Sequence, residues 1–248
     1  MHSGRLLSFS RSVLPIAPTP FQLDMLKLMA LMAMCLDHLN TALGGESVEL
    51  WMIGRMVFPL FAWGWGYNLA RRPVSQASLN RLWLWAIVAQ PAYWWALKGQ
   101  GVTFFDLNIL FAFAVAGQWV YGAQSHRARS ALLGACVFLG YLPLSSMSYG
   151  LAGVMMLLAS FGLLHVQCQT QQWGMWVLWI ASVLALNLSA GLIYALAGLL
   201  LSLMVGFAIL QTTTVRRDRF LPRHFFTLAY VGHLLVIGGV VWVMSIGS

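Results

Sequence analysis

Charge is what this sequence has least of. Only 8% of its 248 residues are Asp, Glu, Lys or Arg, 60% are hydrophobic, and mean hydropathy is +0.77. An average soluble domain carries about 25% charged residues. A chain so poor in charge cannot cover a globular surface in water. That excludes an ordinary soluble enzyme, a disordered protein and a nucleic-acid-binding domain, and it makes lipid the solvent for most of the chain. Cysteine is scarce as well. Cys35, Cys136 and Cys168 have no metal-ligand spacing, so no metal is expected. Cys35 and Cys136 lie in apolar runs and read as free thiols packed like small hydrophobes. Strand-like alternation is missing, which excludes a β-barrel. No small-residue cleavage site follows the first apolar run, which is therefore expected to be an uncleaved anchor. No internal repeat, low-complexity tract or long linker divides the chain. The expectation is a tail over residues 1–22 and one transmembrane domain over residues 23–248.

What is present is a series of continuous apolar runs rich in Leu, Ala, Met and Trp, the pattern of an all-α polytopic membrane protein. A spanning helix takes about 20 residues, which leaves room for roughly eight to ten spans. Nine segments can be drawn: Leu23–Leu43, Leu50–Ala70, Leu82–Leu97, Phe104–Tyr121, Ala131–Leu144, Tyr149–Val166, Trp173–Leu188, Ala190–Leu210 and Phe225–Met244. The fifth is short for a span.

The few charges then orient the chain. With nine spans, Arg5, Arg11, Arg71, Arg72, Arg81, Arg127, Arg129, Arg216, Arg217, Arg219 and Arg223 fall on one side, and only Lys98, with Glu46 and Glu49, on the other. The bias places the N-terminus in the cytoplasm and the C-terminus outside. The loop after the sixth segment is Gln-rich and carries no Lys or Arg. Aromatic residues at segment ends, such as Tyr93, Trp94, Trp95 and Tyr121, read as interfacial anchors.

Ionisable groups inside hydrocarbon cost about 2.5–3.5 kcal/mol each on insertion scales, so they face a protein interior or a wet cavity. Asp37 and His38 precede Leu43 by six and five residues, roughly 8–9 Å inside the outer boundary at about 1.5 Å per residue. Arg55 lies equally deep in the second segment. Asp106 and Asn108 enter the fourth, Tyr149 opens the sixth, Asn187 closes the seventh, and His233 lies near the middle of the ninth. These residues, from several spans, converge on the outer half of the bundle. Asp37 and Arg55 fit a structural ion pair between neighbouring helices or part of a reactive site. Adjacent helical residues point about 100° apart, so Asp37 can face Arg55 while His38 faces a cavity. His38 reads as a satisfied core histidine or as a reactive group, since an imidazole there can serve as general base or nucleophile. Asp24 and Lys27, three apart, read as an interfacial helix pair.

The ordered motifs carry a resemblance. Leu36-Asp37-His38-Leu39-Asn40 ends the first segment, and Gly54-Arg55-Met56-Val57-Phe58-Pro59 opens the second. Asn80-Arg81-Leu82-Trp83, Asn108-Ile109-Leu110-Phe111, Tyr149-Gly150-Leu151-Ala152-Gly153, Ala185-Leu186-Asn187-Leu188 and His233-Leu234 follow in order. From about Leu23 to Val243 the chain resembles the TraX family of conjugative plasmids. That resemblance implies an inner-membrane acetyltransferase, distantly similar to polytopic acyltransferases. It would carry acetyl from acetyl-CoA to the N-terminal amine of a pilin subunit. It places His38, Asp37 and Arg55 at the reaction centre. Asn108, Asp106, Tyr149, Asn187 and His233 are expected at the substrate, and Arg71, Arg72 and Arg81 at CoA. The alternatives are an acyltransferase acting on a lipid or glycan, a proton-coupled transporter, and a scaffold for pilin assembly.

Overall fold

The first helix begins where its cap dictates. Thr19 Oγ1 accepts from the Gln22 amide at 3.2 Å, the Thr19 amide donates to Gln22 Oε1 at 2.8 Å, and Pro20 occupies the first turn. This reciprocal capping box satisfies amides that the helix itself leaves unpaired. α1 therefore runs Pro20–Ala42, three residues ahead of the expected Leu23. The computed structural model describes residues 18–45, 47–145, 149–212, 218–222 and 224–246. The expectations for Arg5, Arg11, Glu46, Arg216, Arg217 and Arg223, and most of the tail, lie outside the described residues.

The remaining helices are α2 (Val48–Gly54), α3 (Val57–Arg71), α4 (Gln76–Leu97), α5 (Ile109–Gln124), α6 (Ala128–Tyr141), α7 (Gly150–His165), α8 (Gln169–Leu188), α9 (Leu192–Gln211) and α10 (Phe225–Ile246). Single turns of 3-10 helix follow α4 and α6, and no strand occurs among the described residues. Ser47, Ser75 and Asn108 cap α2, α4 and α5 with side-chain oxygens. The protein is all-α.

The second expected segment is not one helix. Pro59 lacks an N–H, and its ring crowds the carbonyl four residues back, which belongs to Arg55. The chain is interrupted at Arg55 and Met56, whose amides bond three residues back, to Met52 and Ile53. α2 and α3 together make one pass. Counted so, the described helices answer one for one to the nine expected segments.

Side-chain hydrogen bonds pin one end of the bundle. Gln22 Nε2 donates to the Leu210 and Thr212 carbonyls, Tyr67 donates to the Pro18 carbonyl, and the Val74 amide donates to Gln124 Oε1. Arg71, Arg72, Arg81, Arg127 and Arg129 are exposed at this end. The expected Asp24–Lys27 pair does not form. Asp24 is buried and accepts from the Phe220 and Leu221 amides at 3.2 and 3.3 Å, while Lys27 lies over the Phe226 ring. A carboxylate buried beside unpaired amides takes those donors in preference to a flexible ammonium.

α1 lies centrally, touching α2, α3, α4, α9 and α10, and α6 packs on the flank of α5. Ala30, Ala62, Ala86, Ala89, Ala112, Ala116 and Ala159 are fully buried, so backbones approach closely. The outside is apolar too. Ile87 on α4, Leu132 on α6, Val177 on α8, Met204 and Phe207 on α9 and Val236 on α10 are each at least 60% exposed. Among the described residues, α9 and α10 are each long and apolar enough to cross a membrane unaided, with hydropathies of 2.4 and 1.9.

Candidate functional site

The interruption between α2 and α3 builds the site. Arg55 ends a short helix; its amide turns to the Met52 carbonyl, and its Nε donates to the Trp51 carbonyl at 3.2 Å. A cation at a helix C-terminus is favoured by the helix dipole. The guanidinium also lies 5.0 Å over the Trp51 ring and donates from Nη2 to Asp37 Oδ1 of α1 at 3.4 Å. Nη1 has no partner among the described residues.

Two glycines make this convergence possible. A Cβ on Gly54 would overlap the Asp37 carboxylate. A Cβ on Gly198 of α9 would stand 3.0 Å from both Arg55 Cβ and Asn187 Nδ2. These positions are small because α2 and α9 close on polar side chains, not on flexible apolar ones.

Asp37, His38 and Arg55 line a cavity of about 300 Å³, with Tyr149 and Asn187 on other walls. Five of the expected site residues are thus brought together from α1, the α2–α3 junction, the start of α7 and the end of α8. Tyr149 stacks on Phe58 at 4.3 Å, and Asn187 is held by its donation to the Val183 carbonyl at 2.9 Å. Thr41, Trp51 and Tyr93 complete the polar lining. Tyr93 was expected as an interfacial anchor. It lines the cavity instead, on the same face of α4 as buried Ala86, Ala89, Gln90 and Leu97. Gln90, three residues back in the apolar run, was the polar marker of that face in the sequence.

Three expected substrate residues lie elsewhere. Asn108 is almost fully buried and committed. Oδ1 caps α5 through the Leu110 amide, and Nδ2 donates to the Ala86 carbonyl and to Gln90 Oε1. Asp106 is buried, and its carboxylate accepts from the Thr103 amide at 2.6 Å. Gln90 joins the two by donating to the Phe104 and Asp106 carbonyls. These residues clamp the α4–α5 connection, because a buried backbone needs partners for its amides and carbonyls. His233 of α10 is also off the cavity wall. It stands behind His38, with His38 Nδ1 and His233 Nε2 2.9 Å apart.

Arg71, Arg72 and Arg81 sit at the opposite end of the bundle. Arg55 and Arg71 are separated by about 24 Å of helix at 1.5 Å per residue. Arg71 is engaged with the Tyr67 hydroxyl, Arg81 with Ser78, and all three remain exposed. Between the two ends lies a second slot of about 270 Å³, walled by Lys27, Trp65, Asn68 and Tyr230 among others, and it shares Met34 with the polar cavity.

The fold and site define an all-helical protein, apolar outside, with helices able to cross a membrane and with titratable side chains gathered around one cavity. Within that class the chain belongs to the TraX family: the family model described as TraX protein matches residues 22–241. It is 36% identical over 224 residues to Protein TraX of Escherichia coli, covering 89% of this chain and 87% of that one. The same figures hold for Protein TraX of Escherichia coli strain K12. No solved structure matches it.

Proposed function

We propose that the protein is a multi-pass inner-membrane acetyltransferase with about nine transmembrane helices and a cytoplasmic N-terminus. It moves acetyl from acetyl-CoA to the N-terminal amine of a conjugative pilin subunit. The observation that carries this reading is the cavity in which His38 meets the Asp37–Arg55 pair, inside a chain whose family membership points to conjugation. The apolar outer faces and the single Arg-rich end support the membrane topology.

The arginine end at Arg71, Arg72 and Arg81 suits the phosphates of CoA. The thioester arm extends through the slot beside Lys27 and Asn68 and past Met34 into the cavity. A processed pilin, itself apolar, offers its amine from the other side. The amine nitrogen attacks the thioester carbonyl, a C–N bond forms, and His38 takes the proton the amine loses. The carbonyl oxygen becomes negative and faces the free Nη1 of Arg55, which is worth more in a low-dielectric site than in water. The C–S bond breaks, and the thiolate of CoA recovers the proton from His38. Asp37 holds Arg55 in place throughout.

Mass spectrometry of pilin from cells carrying His38→Ala tests the reading. The pilin is expected to lose its acetyl group while the variant still inserts. Full acetylation would remove His38 from the reaction. Failure of the purified wild type to bind acetyl-CoA would replace the enzyme by a transporter or a pilin scaffold, and acetyl found only on a lipid or glycan would change the acceptor.

A further inference from the structure

His38 needs an orienting partner if it is to act as a base, and the neighbouring carboxylate is not that partner. Asp37 points about 100° away around α1 and is engaged with Arg55. The atom that meets His38 Nδ1 is Nε2 of His233, at 2.9 Å, with the two rings tilted by only 12°. The other nitrogen of His233, Nδ1, lies 3.2 Å from the Ala229 carbonyl one turn back on α10. A carbonyl oxygen can only accept, so His233 Nδ1 carries the proton. His233 Nε2 then carries a lone pair, and His38 Nδ1 must donate to it; the opposite tautomer would set two lone pairs against each other. The proton positions of both rings follow from one backbone carbonyl. His38 Nε2 is left unprotonated, with no partner among the described residues.

We propose that His233 is a positioning residue: it locks His38 in the Nδ1–H tautomer and presents Nε2 to the cavity as the reacting atom. The proposal rests on the acetyl-transfer reading above and assigns its base to one nitrogen. The proton lost by the amine forms an Nε2–H bond, and the imidazolium so made tightens its Nδ1–H bond to neutral His233, since a charged donor bonds more strongly. When Nε2 returns that proton to the departing thiolate, the original tautomer is restored and the cycle closes with no net change in either ring. Rings from α4 and α10 frame the pair: Tyr93 stands edge-on to His38 at 6.5 Å, and Tyr230 packs on His233 at 5.5 Å.

Two measurements test it on the full-length protein in lipid nanodiscs. In the first, His233→Leu is expected to lower kcat by about 100-fold, the usual scale of a general base, with KM for acetyl-CoA nearly unchanged. His233→Gln, whose Oε1 can accept from Nδ1–H, is expected to restore kcat to within a few-fold of wild type. Equal losses in both variants, or a loss confined to KM, would overturn the positioning role. The second needs no activity. NMR of isotope-labelled histidine, assigned by difference from His38→Gln, should show His38 protonated at Nδ1 and bare at Nε2, with a mixture of tautomers in His233→Leu. A wild-type His38 protonated at Nε2 would refute the proposal even if pilin is acetylated. The expected tautomer in a protein that transfers no acetyl would uphold the imidazole pair and refute the reaction assigned to it.

Discussion

Arg55 makes three contacts: the backbone carbonyl and the indole face of Trp51 on α2, and the Asp37 carboxylate on α1. Asp37→Asn removes only the last and leaves a cation without its counter-charge. Breaking a buried pair costs about 3–5 kcal/mol, and replacing both partners by apolar residues is often neutral. The cost is smaller here because the side chains are 23% and 16% exposed. Asp37→Asn is therefore expected to lower thermal stability more than Asp37→Asn with Arg55→Met, and a double variant that melts below the single one would refute the pairing. Cys168 makes a separate residue-scale case. It precedes α8, it is exposed, and the first amides of that helix pull its thiol below the ordinary range. The thiolate forms at lower pH than for an unperturbed cysteine, so Cys168 is expected to react with a maleimide ahead of half-buried Cys35. Peptide mapping after a short labelling pulse reads this out. That His38, Asp37 and Arg55 would share one polar cavity was legible because a polar or charged group in an apolar run needs a reason. Asn108 and Asp106 belong to the same pattern, yet their reason is backbone satisfaction, and sequence pattern does not separate those two causes.

The α2–α3 interruption shows how an element can be written locally and still be misread. Hydropathy runs through Leu50–Ala70 without a break, so the segment reads as one span. Pro59 was in view, but its effect falls four residues upstream, on the carbonyl of Arg55. Pro59→Ala restores the missing amide and removes a helix penalty of about 3 kcal/mol. The variant is expected to be at least as stable as wild type; on the acetyl-transfer reading, transfer falls about tenfold because Arg55 moves with the straightened helix. Unchanged acetylation would show that the interruption does not position Arg55. At the start of α1, Thr19→Ala is expected to cost about 1 kcal/mol, seen as a lower melting temperature with the polar cavity intact. That cap was also written in the sequence, as Thr19-Pro20-Phe21-Gln22, one turn before hydropathy alone would begin the helix.

Over the whole molecule, the charges of the described residues gather at particular helix ends. The ends of α3 and α5 and the starts of α4 and α6 carry Arg71, Arg72, Arg81, Arg127 and Arg129, while Lys98 follows the far end of α4. A nine-pass topology predicts that a cysteine replacing Arg72 in an otherwise cysteine-free protein is labelled by an impermeant maleimide only after the cells are broken. A cysteine replacing Gln100 is labelled in intact cells. The reverse pattern would invert the topology, and labelling of both in intact cells would contradict an intact bundle in the membrane.

Charge scarcity, apolar run lengths and the spacing of polar residues along each run settled the helical class, and the depth of the polar residues pointed to one level of the bundle. These are properties of a single helix, whose rise per residue converts sequence position into height. Rotation about the helix axis and the identity of the neighbour are not such properties. They depend on which small residues, among them Gly54 and Gly198, let which backbones close. Tertiary packing alone therefore decided that Tyr93 turns into the cavity, that Asn108 is occupied by Gln90 and Ala86, and that the partner of His38 is not the adjacent Asp37 but His233, 195 residues away in the chain.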